Sequence, residues 1–150
     1  MNRIWEVLTC CLDDYTTDSR GDVGSWIRIA ATESLISVYV FVYQNDVKVT
    51  IGKLLRLSVE RMDRVRTFAG RTLRAIIPMS NQDSLKTFIQ RYVSARKSDY
   101  NNSCDDETFT VPSKVYPTVV KLLSLETYRQ EILTGFLASA GGLGESLVLV

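Results

Sequence analysis

The sequence predicts an all-α fold, a stack of antiparallel helix pairs with no sheet. Three observations predict it. Apolar residues recur at three- and four-residue steps over most of the chain. Polar stretches carrying glycine or proline interrupt that pattern and mark turns. One pattern also returns: Ile27, Arg28, Ala31 and Leu35 are echoed 38 residues later by Val65, Arg66, Ala69 and Leu73. Both copies fit V/I-R-x-x-A-x-x-x-L, and an acidic residue, Asp22 or Asp63, precedes each. The spacing is close to the roughly 40-residue period of HEAT and armadillo repeats. Residues 1–150 therefore read as one HEAT/armadillo-like segment, expected to stack right-handed. The small Ala allows helices to approach closely. Arg28 and Asp22 are expected to be structural, the arginine reaching an acidic group of its own or the next repeat.

The elements are justified in order. Ile4, Trp5, Val7, Leu8, Cys11 and Leu12 give residues 3–12 one broad helical stripe. Asp13 to Gly24 is polar and reads as a loop, with Asp22 or Ser25 placed to cap the next helix. That helix is expected from Ser25 to Tyr43 through Ile27, Ala30, Ala31, Leu35, Val38 and Val42. Asn45 and Asp46 make a turn. A long helix is expected over Val47 to Ile77, with Ile51, Leu54, Leu55, Met62, Val65, Ala69, Leu73 and Ile76 inward, until Pro78 stops it. Asp83 to Ser94 reads as a shorter amphipathic helix, and 95–110 as a polar loop. Helices over Ser113–Leu125 and Glu126–Ala140 come next, with Pro117 near the start of the first. Gly141 and Gly142 end the second, and another helix begins near Leu143. The apolar end at Leu147 to Val150 suggests a piece of something longer.

Composition excludes several chemistries. Histidine is absent, which removes the usual neutral-pH base, the Ser-His-Asp and Cys-His systems and the Cys/His zinc patterns. Cys10, Cys11 and Cys104 form no C-x-x-C pair, and their odd number argues against a disulfide framework. Reduced thiols in a cytosolic protein are the expectation. The net charge of +1 gives no support to bulk nucleic-acid binding. Glu6, Asp13 and Asp14 break up any signal-peptide core, and the strongest apolar run, Leu35 to Tyr43, falls short of the roughly 20 residues a membrane span needs.

Motifs that invite a chemical reading have plainer ones. Arg20-Gly21-Asp22 spells an adhesion tripeptide, but reads better as a loop glycine before a helix cap. Gly141 to Ser146 lacks the G-K-[ST] ending of a phosphate loop. Asp13 with Asp14, and Asp105 with Asp106 and Glu107, lack the alternating spacing of a calcium loop. No catalytic residue, metal or cofactor is expected. The one surface feature is a basic stripe of Lys53, Arg56, Arg64, Arg71 and Arg74 on the long helix, interrupted by Glu60. It is either a solvated face or a docking site for an acidic partner.

The stretch Leu12-Asp13-Asp14-Tyr15-Thr16-Thr17-Asp18-Ser19-Arg20-Gly21-Asp22-Val23-Gly24-Ser25-Trp26 goes beyond a generic repeat. It resembles the D-Y-T-x-x-x-R-G-D-V-G-x-W/L-V/I-R motif of the tubulin-folding cofactor D family, the tubulin-specific chaperones D. Met62 to Arg66 is similar to that family's I-D-R-F/V-R. Tyr116-Pro117, Leu122 to Arg129 and Ala140 to Ser146 are similar to its F-P…L-L-G-L-P-T-Y-R…G-G-L-T-E-S. The resemblance covers nearly the whole chain and is weakest at 80–110. Ala30-Ala31-Thr32 stands where the family usually has A-A-M. Family members are far longer than this chain.

The resemblance implies a HEAT/armadillo-like scaffold, not an enzyme. It would bind β-tubulin during heterodimer assembly, alongside other tubulin-folding cofactors and an ADP-ribosylation-factor-like small GTPase. Together these stimulate GTP hydrolysis by tubulin, which holds the nucleotide. It further implies a cytoplasmic, cytoskeleton-associated setting. The alternative is a generic HEAT-type adaptor. Candidate partner-binding residues are Tyr15, Arg20 and Asp22 in the loop and Lys53, Arg56, Arg64, Arg71 and Arg74 on the long helix. The loop is longer than the 2–8 residues a helix connection usually takes. Tyr15 and Asp22 either pin it to its neighbours or help shape it for tubulin.

Overall fold

The computed structural model describes residues 2–39, 41, 47–87 and 107–141. Helix α1 (Asn2–Cys11) leads through a loop to α2 (Gly24–Tyr39). Then come α3 (Val47–Leu57) and α4 (Asp63–Ile76), whose last turn tightens into a 3₁₀ turn at Ile77–Met79. Residues 83–87 form α5. Helix α6 (Glu107–Thr110) and helix α7 (Pro112–Lys121) precede a 3₁₀ turn at Leu122–Ser124, and α8 (Glu126–Ser139) closes the described chain.

Contacts between side chains fix the helix directions. Trp5 meets Tyr39 at a ring distance of 6.0 Å, while the opposite end of α1 runs into Asp14, packed on Gly24; α1 and α2 are antiparallel. Thr9 and Thr50 share a buried hydroxyl–hydroxyl hydrogen bond of 2.8 Å, and the Lys53 ammonium donates to the Thr9 carbonyl at 3.3 Å. With Lys53 also paired to Asp13 one turn further along, α1 and α3 run parallel. Helix α8 continues that layer, also parallel to α3: Tyr128 and Glu131 pack on Gly52, and Gly135 on Arg56 and Val59. Helices α2 and α4 pack together as the second layer, where the Thr72 hydroxyl donates to the Thr32 carbonyl at 3.0 Å. This is a repeat-like helical stack, as expected. Ala31 and Ala69, Leu35 and Leu73 are all buried, so the echoed pattern marks equivalent core positions of the two helices.

Several boundaries differ from the sequence expectation. The long helix over Val47 to Ile77 is two helices. The Ser58 hydroxyl turns back to the Leu55 carbonyl (2.7 Å), the Glu60 amide bonds Leu57 O (3.1 Å), and Met62 is extended before α4 begins. A serine that satisfies a backbone carbonyl competes with helix continuation, and Asp63 suits the first turn of a new helix. Met62, expected inward, lies in that break and is exposed. Ile4, Val7 and Ile27 are exposed as well; on α2 the inward position next to Ile27 belongs to Arg28. The loop contains a two-residue antiparallel ribbon, Thr17–Asp18 against Gly21–Asp22, where the sequence predicts no strand. Within the expected loop 95–110, residues 107–110 are helical, held by Arg66, which donates to the Phe109 and Thr110 carbonyls at 2.7 and 2.5 Å. Gly141 ends α8 at φ +82°, the left-handed conformation a C-terminal glycine adopts without strain. The expected turn at Asn45–Asp46, the second half of the 83–94 helix, Cys104 and the helix from Leu143 lie outside the described residues.

Candidate functional site

The loop between α1 and α2 is held at both ends. At its start, Asp13 is shared by Lys53 and Arg56 of α3, and Arg56 also pairs with Glu131 of α8 at 3.3 Å. Burial alone would raise the Asp13 pKa; hydrogen bonds from Arg56 and Lys53 outweigh it, so the carboxyl sits below the usual range. The Arg56 guanidinium also donates to the Leu12 carbonyl at 3.3 Å, satisfying the end of α1. Next, the Asp14 carboxylate accepts from the Thr16 amide at 3.0 Å, and the Gly24 amide returns to Thr16 O at 2.9 Å. Gly21, at φ +106°, follows the turn at Ser19 and Arg20 and opens the second strand of the ribbon. At the loop's end Asp22 caps α2 by accepting from the Ser25 amide at 3.0 Å.

One buried arginine ties these pieces together. Arg28, with no exposed surface, donates to Asp22 Oδ2 at 2.7 Å, to Glu60 Oε2 at 3.0 Å and to the Asp14 carbonyl. Its guanidinium lies 4.2 Å from the centre of the Tyr15 ring, and the Tyr15 hydroxyl donates to Glu60 Oε1 at 2.7 Å. Glu60 is only 4% exposed. Burial raises its pKa despite Arg28 and Tyr15, and burial with the Glu60 charge raises that of Tyr15. Desolvation of the carboxylate therefore exceeds what its partners return. The expected bond from Arg28 to acidic groups is present on both sides, its own loop and the next repeat.

Arg66, the echo of Arg28, has the same job one repeat on. It is fully buried, and besides Phe109 and Thr110 it donates to the Glu60 carbonyl at 2.8 Å and to Asp63. The turn at 58–62 is thus gripped by both arginines. The Ser139 hydroxyl adds a bond to Val59 O from α8.

The eight candidate residues divide into three groups. Tyr15 and Asp22 belong to the Arg28 cluster. Lys53 and Arg56 are mostly covered and spend their charge on Asp13 and Glu131, so they do not share a stripe with the α4 arginines; the break at 58–62 separates the two sets. The third group is exposed. Arg20 is held by Asp18 at 2.6 Å and lies 5.6 Å from the ring centre of Trp26, itself 60% exposed. Arg64, Arg71 and Arg74 are exposed on α4. Glu60 is the residue that sequence reasoning misses. Along the chain it only interrupts a basic stripe, and the demand of a buried Arg28 for a second carboxylate is its one signal. Among the described residues, no group of three or more metal-binding side chains assembles and no helix is long and apolar enough to cross a membrane.

The fold and this site define a class: a repeat-like helical scaffold with an ordered polar loop at one edge. The model of the tubulin folding cofactor D C-terminal family matches residues 48–149, and the chain belongs to that family. It is also similar to tubulin-specific chaperone D of Dictyostelium discoideum, 23% identical over 170 aligned residues that take in 97% of this chain and 11% of that relative. The chain thus spans about a tenth of the relative's length. No solved structure matches it.

Proposed function

We propose that this chain is a tubulin-folding cofactor segment that acts by binding: it holds β-tubulin and other tubulin-folding cofactors during heterodimer assembly. It makes and breaks no bonds itself. It promotes GTP hydrolysis only indirectly, in concert with an ADP-ribosylation-factor-like small GTPase, because the nucleotide belongs to tubulin. Its setting is the cytoplasm, in association with the cytoskeleton. Family membership supports this reading, and so does the chaperone name of the relative.

The observation that carries it is the ordered loop. Arg28, Glu60, Asp13 and Asp22 fix the backbone of 13–24, yet that framework leaves Arg20 and Trp26 facing outward. Exposed tryptophan and arginine are the residue types most enriched where interfaces concentrate their energy, and a rigid loop loses little conformational entropy on binding. The test is capture of purified tubulin on the immobilised chain, comparing the native sequence with Arg20→Glu/Trp26→Ser. Retention of β-tubulin by the native chain, reduced about tenfold or more in the variant, is expected. Equal retention by both chains, or none by either, contradicts the reading.

A further inference from the structure

Helix α2 is apolar on every side. Of its 16 residues only Arg28 and Glu33 carry charge, and Arg28 is fully buried. A helix of that composition is normally covered all round. Helices α1 and α4 pack against α2, yet its outward face is open. Trp26 is 60% exposed and Ile27 44%, and Ala30, Glu33, Ser34 and Ser37 are exposed as well. At 100° per residue these six positions fall within an arc of about 120° and run about 16 Å along the helix. Trp26, Ala30, Glu33 and Ser37 follow one another at steps of four, three and four. That is the spacing of a seam on which a second helix packs.

The chemistry of the seam narrows its occupant. Trp26 and Ile27 stand at one end as large apolar knobs, and beyond them Ala30, Ser34 and Ser37 are small enough for another backbone to come close. The Ser34 hydroxyl donates to the Ala30 carbonyl at 2.8 Å, so it demands no partner. Glu33 is the single charge on the face, and a covering helix must set a lysine or arginine against it. An anionic membrane surface fits badly, because helices that lie on membranes carry Lys and Arg on their polar side and α2 exposes none. A second copy fits badly too. Face to face, two antiparallel seams would bring their Glu33 carboxylates together near the middle. A patch about 16 Å long and about 10 Å wide also falls far short of the roughly 800 Å² that each partner of a stable dimer buries. A helix belonging to a partner that already meets the loop needs no such area. The seam is continuous with that loop, since the Arg20 guanidinium lies 5.6 Å from the centre of the Trp26 ring.

We propose that the outward face of α2, from Trp26 to Ser37, docks an amphipathic α-helix of the partner protein, with a basic residue of that helix opposite Glu33. The inference deepens the binding role proposed above and rests on it in taking tubulin as the partner. The experiment captures purified tubulin on the immobilised 150-residue chain, with helix content checked by circular dichroism. Ala30→Arg/Ser34→Arg blocks the close approach and should weaken capture about tenfold or more, with helix content unchanged. Glu33→Lys should weaken it at least about threefold, and Arg64→Gln, on α4, should match the native chain. A benzophenone side chain is then placed at Ala30 or at Ser37, and the cross-linked tubulin residues are read by mass spectrometry. The two positions lie about 10 Å apart along α2, so on a helix laid along the seam the links should fall about seven residues apart in one segment. An extended strand would space them about three apart. Capture that survives both the arginine and the lysine variants sinks this inference alone, provided that Arg20→Glu/Trp26→Ser still weakens it. Links at strand spacing, or scattered over unrelated segments, sink it alone as well. No capture by the folded native chain sinks it together with the tubulin reading.

Discussion

The guanidinium of Arg28 meets the carboxylate of Glu60 at 3.0 Å across 32 positions of sequence, with the arginine fully buried. This pair joins the cap of α2 to the break between α3 and α4. Arg28→Ala leaves Glu60 and Asp22 without their cation. It should cost about 3–5 kcal/mol in urea denaturation of the chain, since an uncompensated buried charge is far worse than none. Replacing both partners together, Arg28→Met/Glu60→Leu, should cost clearly less than Arg28→Ala. A single variant within about 1 kcal/mol of the native chain would remove Arg28 from the centre of the loop's support.

Tyr15→Phe deletes only the hydroxyl that donates to Glu60 at 2.7 Å, leaving the ring under Arg28. A hydrogen bond to a charged acceptor is worth about 1.5–3 kcal/mol. The variant should lose an amount in that range, and amide exchange across residues 14–23 should speed up. If stability drops while the loop keeps its protection, Tyr15 supports the core and not the loop.

The acid limb of stability should carry the mark of Asp13. Its folded pKa lies below the ordinary 3.8, because Arg56 and Lys53 more than offset its burial. A depressed carboxyl contributes stability above its unfolded pKa and loses it as pH falls through the folded one. Asp13→Asn should therefore flatten the part of the stability curve below about pH 4. Glu60 has the opposite sign: its raised pKa means that ionisation weighs against the fold as pH rises through the folded value. Glu60→Gln should remove that contribution. Superimposable acid limbs for Asp13→Asn and the native chain would contradict the assignment.

Gly135 tests the packing of α8 on α3. A Cβ there would collide with the Arg56 carbonyl and the Val59 side chain. Gly135→Ala should destabilise by about 1–3 kcal/mol, although alanine is the better helix former. A stabilised variant would mean that α8 does not press on α3 at that point.

Much of the stack is legible in the sequence because its signals are local. The three- and four-residue periodicity places α1, α2, α7 and α8 within a few residues, and the 38-residue echo picks out Arg28 and Arg66 as equivalent. The break at 58–62 is not legible. Apolar periodicity runs through Leu55, Val59 and Met62 without a glycine or proline, and the helix is ended by a serine turning onto its own backbone and a glutamate drawn inward by an arginine of another helix. Such a partner lies 32 positions away and leaves no mark in the local pattern. The misplacement of Lys53 and Arg56 on the basic stripe has the same origin. The pinning role of Tyr15 and Asp22, by contrast, is among the readings that the loop's length and polarity already raise.

Amide hydrogen exchange of the chain, with and without saturating purified tubulin, tests the central claim most directly. If this segment holds tubulin through its ordered loop, protection should rise at residues 15–27 and change little along the α3–α8 contact. Unaltered exchange throughout the folded chain, or protection confined to α8, would contradict it.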